Sequence, residues 1–301
     1  MWFKSLSIYR LPDDFAFDRA VFEAKLATAT LKPLGPTEPS RFGFVSPFGA
    51  QHDVLLHEGS GCVWLTLGGR TKLLPSAVVR EACEVKIQAE RARTQKNLSK
   101  RQREEIRDEV LLTLLPRAFE KSSRLHAYLD LEAKLLYVDS SSDGASERLV
   151  TALREALGSF PVEQVQIEES ASAIMTQWVM AGECASPFKL GDECRLIDPI
   201  DRACALNAKR HDLALKEIQE HIRVGKKVDK LALCFDNRLS FVLDDKFKIS
   251  KLKFLEIVQD GIKDSEGDEL AELDTRFTLM VLELRQLTKA LFAQFKVVVA
   301  G

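Results

Sequence analysis

The sequence predicts an α+β protein built on antiparallel sheets, and three patterns in its 301 residues support this fold class. Short apolar runs separated by Gly and Pro fill residues 1–75, which is typical of antiparallel strands. Helical periodicity begins at Ser76, and further strand patterns run from Val228 to Phe254. Apolar residues then recur every three or four positions from Leu270 to Phe295, which predicts a long amphipathic C-terminal helix.

The β-rich N-terminal part, residues 1–75, is predicted to contain one early helix. This helix should run from Arg19 to Ala29 and bury Phe22 and Leu26. Gly68-Gly69 is predicted to form a turn between two short strands of the sheet.

Residues 76–124 are predicted to form a helical hairpin and its tip. Ser76 is a suitable N-cap for the first helix, and the sequence Ser99-x-x-Gln102 is a capping box that starts the second helix. Pro116 should end the second helix. The far end of this hairpin is strongly basic with almost no apolar anchor, so we expect it to protrude into solvent or toward a polyanion.

Two further parts complete the predicted organisation, an α/β middle part at 125–225 and a β-meander with the C-terminal helix at 226–301. Two strands should meet around Glu132-Ala133. Asp212 should cap a later helix whose apolar side chains point inward. These apolar side chains are Leu215, Ile218 and Ile222.

The charges nearly cancel, because 43 Lys and Arg face 45 Asp and Glu, for a net charge of −2 and a pI near 6.3. A uniformly basic surface is therefore excluded, and a polyanion site requires uneven placement of charge. Basic residues do collect in three segments, and an acidic segment spans 256–285. The candidate DNA-binding residues in the first two segments are Lys86, Arg91, Arg93, Lys96, Lys100, Arg101, Arg103, Lys209, Arg210, His211, Lys226 and Lys227. The third segment is the lysine-rich strand at 246–253.

Such segments attract phosphates through counterion release without reading any base. Each segment alone is also consistent with a solvated helix face or a protected strand edge. The basic residues are not interleaved with aromatic ones, which disfavours single-strand stacking platforms. Because no helix-turn-helix, zinc-finger or RNA-recognition pattern occurs, non-specific binding of duplex DNA is the predicted form.

One acidic pattern suggests an alternative function as a metal-dependent nuclease. Asp130, Glu132 and Lys134 alternate, so on a strand they would share one face, where carboxylates can hold a metal that activates water. Glu132-Ala133 is also the predicted turn between two strands, and a turn would scatter these side chains. The sequence favours the turn.

No cysteine or histidine pattern predicts a metal, a cofactor or a catalytic nucleophile. The six cysteines lie at least ten residues apart without a C-x-x-C pair, so we expect reduced, buried thiols. The N-terminus lacks signal-peptide features and no apolar run approaches the roughly 18 residues of a membrane span. We therefore expect a cytoplasmic protein with no catalytic residues.

Several sequence blocks resemble the RdgC family of bacterial recombination-associated proteins. The most specific block is Leu114-Leu115-Pro116-Arg117-Ala118-Phe119. The others are Trp2-Phe3-Lys4-Ser5-Leu6, Leu74-Pro75-Ser76-Ala77-Val78-Val79, Lys209-Arg210-His211-Asp212-Leu213 and Lys230-Leu231-Ala232-Leu233. The resemblance implies a curved subunit that forms a ring-shaped homodimer around double-stranded DNA. It also implies nucleoid association and restraint of RecA-mediated recombination.

The resemblance carries roles to particular residues. It implies that Phe119, beside Arg117, closes one dimer contact by entering a pocket on the partner, whereas the residues alone favour a core position for this phenylalanine. Arg210 and His211 match family positions near the DNA or contact surface, and His211 replaces an amide there. A third possibility is an interaction scaffold that works through its C-terminal helix.

Overall fold

The computed structural model describes residues 2–259 and 269–297 and confirms an α+β architecture of antiparallel sheets with a long C-terminal helix. The strands are β1 (Ser7–Arg10), β2 (Ser40–Val45), β3 (Leu56–Gly59), β4 (Cys62–Leu73), β5 (Phe119–Asp130), β6 (Leu135–Val138), β7 (Glu163–Gln164), β8 (Phe188–Ile197), β9 (Ala205–Lys209), β10 (Lys227–Phe235), β11 (Leu239–Asp244) and β12 (Ile249–Phe254). The helices are α1 (Arg19–Thr28), α2 (Ser76–Thr94), α3 (Lys100–Leu114), α4 (Asp143–Leu157), α5 (Ala171–Ala181), α6 (Lys216–Arg223), α7 (Glu256–Gln259) and α8 (Glu269–Phe295).

The seven-stranded sheet has the order β2-β4-β5-β6-β1-β7, and β3 pairs with β4 beside β2. The predicted turn at Gly68-Gly69 is wrong, because β4 continues through both glycines as one strand. Both positions in the strand require glycine, because neighbouring side chains occupy the space that a Cβ would fill. A Cβ on Gly68 would lie 2.7 Å from Val45 Cγ1, and one on Gly69 would lie 2.6 Å from Phe42 Cε1.

Gly43 on β2 shows the closest backbone approach of this kind. A Cβ there would lie 2.4 Å from the main-chain nitrogen of Leu31, which cannot rotate away as a side chain can. Replacing Gly43 by Ala is therefore expected to lower the free energy of unfolding by about 1–3 kcal/mol, measured by urea denaturation. Gly144→Ala is the control, since nothing lies within 4 Å of its added Cβ. Equal stability of the two variants would contradict the close packing of β2 against the chain at Leu31.

The five-stranded sheet has the order β12-β11-β10-β8-β9, and β10 to β12 form the predicted meander. The N-terminal segment joins the two sheets. The amide of Leu6 donates to the carbonyl of Ile249 at 2.8 Å, and the amide of Leu252 donates to the carbonyl of Lys4 at 2.9 Å. These main-chain bonds fix β12 beside the first sheet.

The core forms two layers on the faces of the seven-stranded sheet. One face packs against α1 and α4, where the predicted Phe22 and Leu26 are buried. The other face packs against α8 in a cluster that also includes the five-stranded sheet. The predicted apolar stripe of α8 is buried from Phe277 onward, whereas Leu270 is 40% exposed.

Three helix-terminus predictions differ from the structure. Ser76 is the first helical residue and Pro75 is the N-cap. Asp212 accepts a hydrogen bond from the amide of Ala214 in the turn before α6, whose N-cap is Leu215. Leu215 is exposed, since it precedes the helix, and Ile218 is the buried residue of α6. Residues 260–268 of the predicted acidic segment lie outside the described residues.

Candidate nucleic-acid interface

The first candidate segment lies on the hairpin of α2 and α3, which begins directly after β4 and returns to β5. The predicted capping box is present, because Ser99 accepts from the amide of Gln102 and the Gln102 side chain accepts from the amide of Ser99. The far end of the hairpin carries one buried apolar side chain, because Leu98 in the connection between the two helices is only 6% exposed.

Carboxylates of the hairpin itself compensate four of its seven basic candidates. Lys86 Nζ reaches Glu109 across the two helices at 2.7 Å. The pairs within one helix are Arg93–Glu90 at 2.6 Å, Lys100–Glu104 at 4.0 Å and Arg101–Glu105 at 3.0 Å. The hydrogen bond from Arg93 lowers the pKa of the Glu90 carboxyl, so that pair is ionised at neutral pH. Such exposed pairs add little stability, but they cancel charge locally.

The other three of the seven basic candidates are Arg91, Lys96 and Arg103. All three are exposed. Among the side chains that the structure describes, no carboxylate oxygen lies within 4.0 Å of their cationic nitrogens. They are therefore the side chains of this segment whose charge is available to a phosphate.

The second candidate segment follows the edge strand β9 and continues into β10. Lys209, Arg210 and Lys227 are exposed, and the described part of the chain places no carboxylate within ion-pair distance of them. Lys226 instead donates to the carbonyl oxygen of Cys204 at 3.3 Å. The ring of His211 is bound within its own segment, with Nδ1 3.0 Å from the carbonyl oxygen of Asp212 and Nε2 3.8 Å from Glu217.

The third basic segment, at 246–253, is mostly compensated. Lys248 is only 6% exposed and pairs with Asp143 at the start of α4, and Lys246 lies 3.7 Å from the same carboxylate. Lys251 pairs with Glu193 on β8. This segment therefore connects structural elements rather than presenting a cationic surface.

Phe119, the candidate dimer contact, begins β5 and is 83% exposed. The expectation from the residues alone of a core phenylalanine is therefore wrong for the single chain. Its cross-strand partner is Leu73 on β4, which is also exposed and was not among the sequence-based candidates. The predicted turn at Gly68-Gly69 divides β4 into two short strands, so the sequence did not predict the register that pairs Leu73 with Phe119. Arg117 is exposed in the 3-10 turn just before β5.

The predicted nuclease residues do not form a metal site in the described part of the chain. Asp130 is fully buried and accepts two hydrogen bonds from Arg285, at 2.5 Å from Nε and 2.9 Å from Nη2. The side chain of Glu132 is 85% exposed in the turn, and Lys134 donates to the carbonyl oxygen of Phe15 at 2.8 Å. The turn interpretation is confirmed, since β5 ends at Asp130 and β6 begins at Leu135.

The cysteines are free thiols, and burial raises the pKa of Cys62 and Cys184 to about 12. Cys204 is exposed, in contrast to the expectation of buried thiols. Among the described residues, no group of three or more His, Cys, Asp or Glu is arranged to hold a metal ion. None of the helices in this part of the chain has the length and apolar character needed to cross a membrane.

These features define a class: a two-sheet α+β protein with two exposed cationic segments and an exposed phenylalanine at the base of a helical hairpin. The family model described as "Putative exonuclease, RdgC" matches residues 1–298. Proteins named recombination-associated protein RdgC are similar to the chain over nearly their whole length. The protein from Halorhodospira halophila is 40% identical over 296 residues, 98% of either chain. The one from Xanthomonas campestris is 40% identical over 289 residues, 95% of either chain.

The chain therefore belongs to the RdgC family. Its relatives are named for their association with recombination and carry no enzymatic name. The word exonuclease occurs in the description of the family model. Asp130 is buried and paired with Arg285, so the arrangement of Asp130, Glu132 and Lys134 does not support an exonuclease activity.

Proposed function

We propose that this protein binds double-stranded DNA without sequence specificity, as a homodimeric ring that encloses the duplex and restrains RecA-mediated recombination. The observation that carries the proposal is a set of six exposed basic side chains, in two separate segments, that lack a carboxylate partner in the described residues. They are Arg91, Lys96, Arg103, Lys209, Arg210 and Lys227. Membership of a recombination-associated family supports DNA as the polyanion.

Enclosure by a ring explains how a chain with a net charge of −2 could hold a polyanion. A closed ring leaves DNA by sliding or by opening, so modest attraction to phosphates is sufficient for retention. The cations of the two segments would line the inner surface of the ring, and the nucleoid would be its location in the cell. The four predicted parts, with boundaries near residues 75, 124 and 225, would be regions of one curved subunit.

A gel-shift assay with linear, circular and single-stranded DNA, together with a mass measurement in solution, tests this function. We expect a dimer that prefers duplex DNA and whose log K falls by about 0.9 per neutralised phosphate as log[salt] rises. A flat salt response would remove the electrostatic basis. No retention even at low salt would favour the scaffold hypothesis, although α8 contributes most of its apolar stripe to the core.

The same assay with Mg²⁺ tests the nuclease alternative. The expected result is intact DNA, because Asp130 is fully buried and held by Arg285. DNA cleavage that is lost in a Glu132→Ala variant would overturn the non-catalytic proposal. That substitution changes an exposed side chain and should leave folding unaffected.

Replacing Phe119 by Ala is expected to weaken the homodimer by about ten- to a hundredfold, as removal of a buried aromatic anchor does at an interface. Because Phe119 is 83% exposed in the single chain, the free energy of unfolding should change by less than about 0.5 kcal/mol. Analytical ultracentrifugation measures the first effect and urea denaturation the second. Val85→Ala is the control, since Val85 is an exposed apolar residue of α2 at 63% exposure. An unchanged dimer in the Phe119 variant would place the contact elsewhere.

A further inference from the structure

A cavity of about 710 Å³ lies between the seven-stranded sheet and the C-terminal half of α8. Its wall is mainly apolar and combines β6, the loop after β7 and the end of α8. The apolar residues are Ala133, Leu135, Tyr137, Val165, Phe292 and Val297, of which Tyr137 is fully buried. Small-molecule sites typically measure about 300–1,000 Å³ and combine apolar walls with a few polar groups. This cavity fits that description, and it is distinct from both cationic segments.

The charged residues that border the cavity are four basic and three acidic side chains. Two of the basic side chains already have acidic neighbours. Arg10 lies 3.2 Å from Asp13 and opposite Glu163 in the β1–β7 pairing, and Arg285 lies 3.8 Å from Glu132 in addition to its bonds with Asp130. The three acids of the border thus lie beside these two arginines, of which Arg285 is also bound to the buried Asp130.

Lys134 and Lys289 are the other two basic residues of the cavity border. Lys134 donates to the neutral carbonyl oxygen of Phe15, so that bond leaves its charge uncompensated. Lys289 is exposed on α8, one turn after Arg285. For both lysines, the described residues provide no carboxylate within 4.0 Å. Lys289 is therefore an exposed basic residue of the cavity border whose charge has no ion-pair partner among the described residues.

We propose that this cavity binds a small organic anion whose apolar or aromatic body contacts Val165 and Phe292 and whose acidic group lies near Lys289. A purely polar anion would make no use of the apolar wall, and an uncharged apolar molecule would gain nothing from the charge of Lys289. A ligand in this place touches both the sheet and α8, so it would stabilise their association by binding the folded state alone.

Fluorescence titration of the full chain with anilinonaphthalene sulfonate tests the proposal, because this probe combines an aromatic body with one acidic group. We expect saturable binding of one probe per chain, at least about tenfold tighter than that of its uncharged counterpart N-phenylnaphthylamine. Inorganic sulfate alone should not compete at similar concentrations. Equal binding of the charged and uncharged probes would overturn the assignment of an anion.

Two variants locate the binding. Lys289→Glu should lower the affinity for the charged probe by about tenfold or more. Lys253→Glu is the control, because it makes the same change at an exposed lysine of β12 outside the cavity, and it should leave that affinity unchanged. Val165→Trp should block the cavity and abolish binding of both probes. Probe binding that survives both cavity variants would overturn the site. DNA affinity measured on the same variants separates this inference from the proposed function, since neither residue belongs to the cationic segments.

Discussion

Replacing Arg91, Lys96 and Arg103 together by Gln is expected to lower the affinity for duplex DNA by about a hundredfold at about 0.1 M salt. These three side chains carry the uncompensated charge of the basic segment at 86–103, so each is free to replace a counterion on a phosphate. If each contacts one phosphate, the slope of log K against log[salt] should become shallower by about 2.7. The loss should be the same for unrelated DNA sequences, because phosphates carry no sequence information.

The chain offers a matched control for this prediction. Replacing Lys86, Arg93 and Arg101 by Gln removes the same formal charge from the same hairpin. These side chains, however, are paired with Glu109, Glu90 and Glu105. We expect less than about a fivefold loss and a nearly unchanged salt slope, because breaking these pairs frees a carboxylate but removes no available cation. Equal losses in both variants would show that net charge alone matters. Unchanged affinity in the first variant would place the hairpin outside the interface.

Local patterns predicted much of this fold, because capping boxes, apolar periodicity and turn residues act over a few positions. The hairpin with its break before Ser99, the meander and the buried stripe of α8 all follow from such signals. The prediction of a turn at Gly68-Gly69 is wrong because tertiary packing, not a turn, requires glycine at these positions. Glycine there makes room for Val45 and Phe42 across the sheet, and a single sequence does not distinguish that use from a turn.

The sequence predicted which segments of the candidate interface are basic, but not which of their side chains lack a carboxylate partner. Counting basic residues at 86–103 gives a large positive excess, yet the acids that neutralise part of it lie just beyond this range at Glu104, Glu105 and Glu109. Spacing of four residues could have revealed two of these pairs. The pair between Lys86 and Glu109 depends on how the two helices align, which local sequence patterns do not determine.

Ion pairs between residues far apart in the sequence were also not predictable, and Asp130 is the clearest case. The sequence placed this residue in a possible metal site, whereas its partner is Arg285, 155 positions away on α8. Besides the two bonds from Arg285, Asp130 Oδ1 accepts from the amides of Glu132 at 3.2 Å and Ala133 at 3.0 Å. One buried carboxylate thus orders the β5–β6 turn and attaches α8 to it. Hydrogen bonding to this carboxylate also raises the pKa of Arg285 further above its ordinary value.

Replacing Arg285 by Met is accordingly expected to lower the free energy of unfolding by about 3–5 kcal/mol, measured by urea denaturation. The cost arises because the carboxylate of Asp130, which is fully buried, loses its cation while remaining out of contact with water. Lys289→Gln is the control, an exposed position one turn further along α8 that should change stability by less than about 0.5 kcal/mol.

A double variant that combines Asp130→Asn with Arg285→Met, compared with the two single variants, distinguishes the loss of a buried ion pair from the loss of packing. The amide of the Asn side chain is neutral, and its oxygen can still accept from the amides of Glu132 and Ala133. We expect the double variant to be more stable than the sum of the single losses predicts, by about 1–3 kcal/mol. Additive losses would mean that Arg285 contributes through its methylene contacts alone. An Arg285→Met variant as stable as the control would show that α8 is held without this pair.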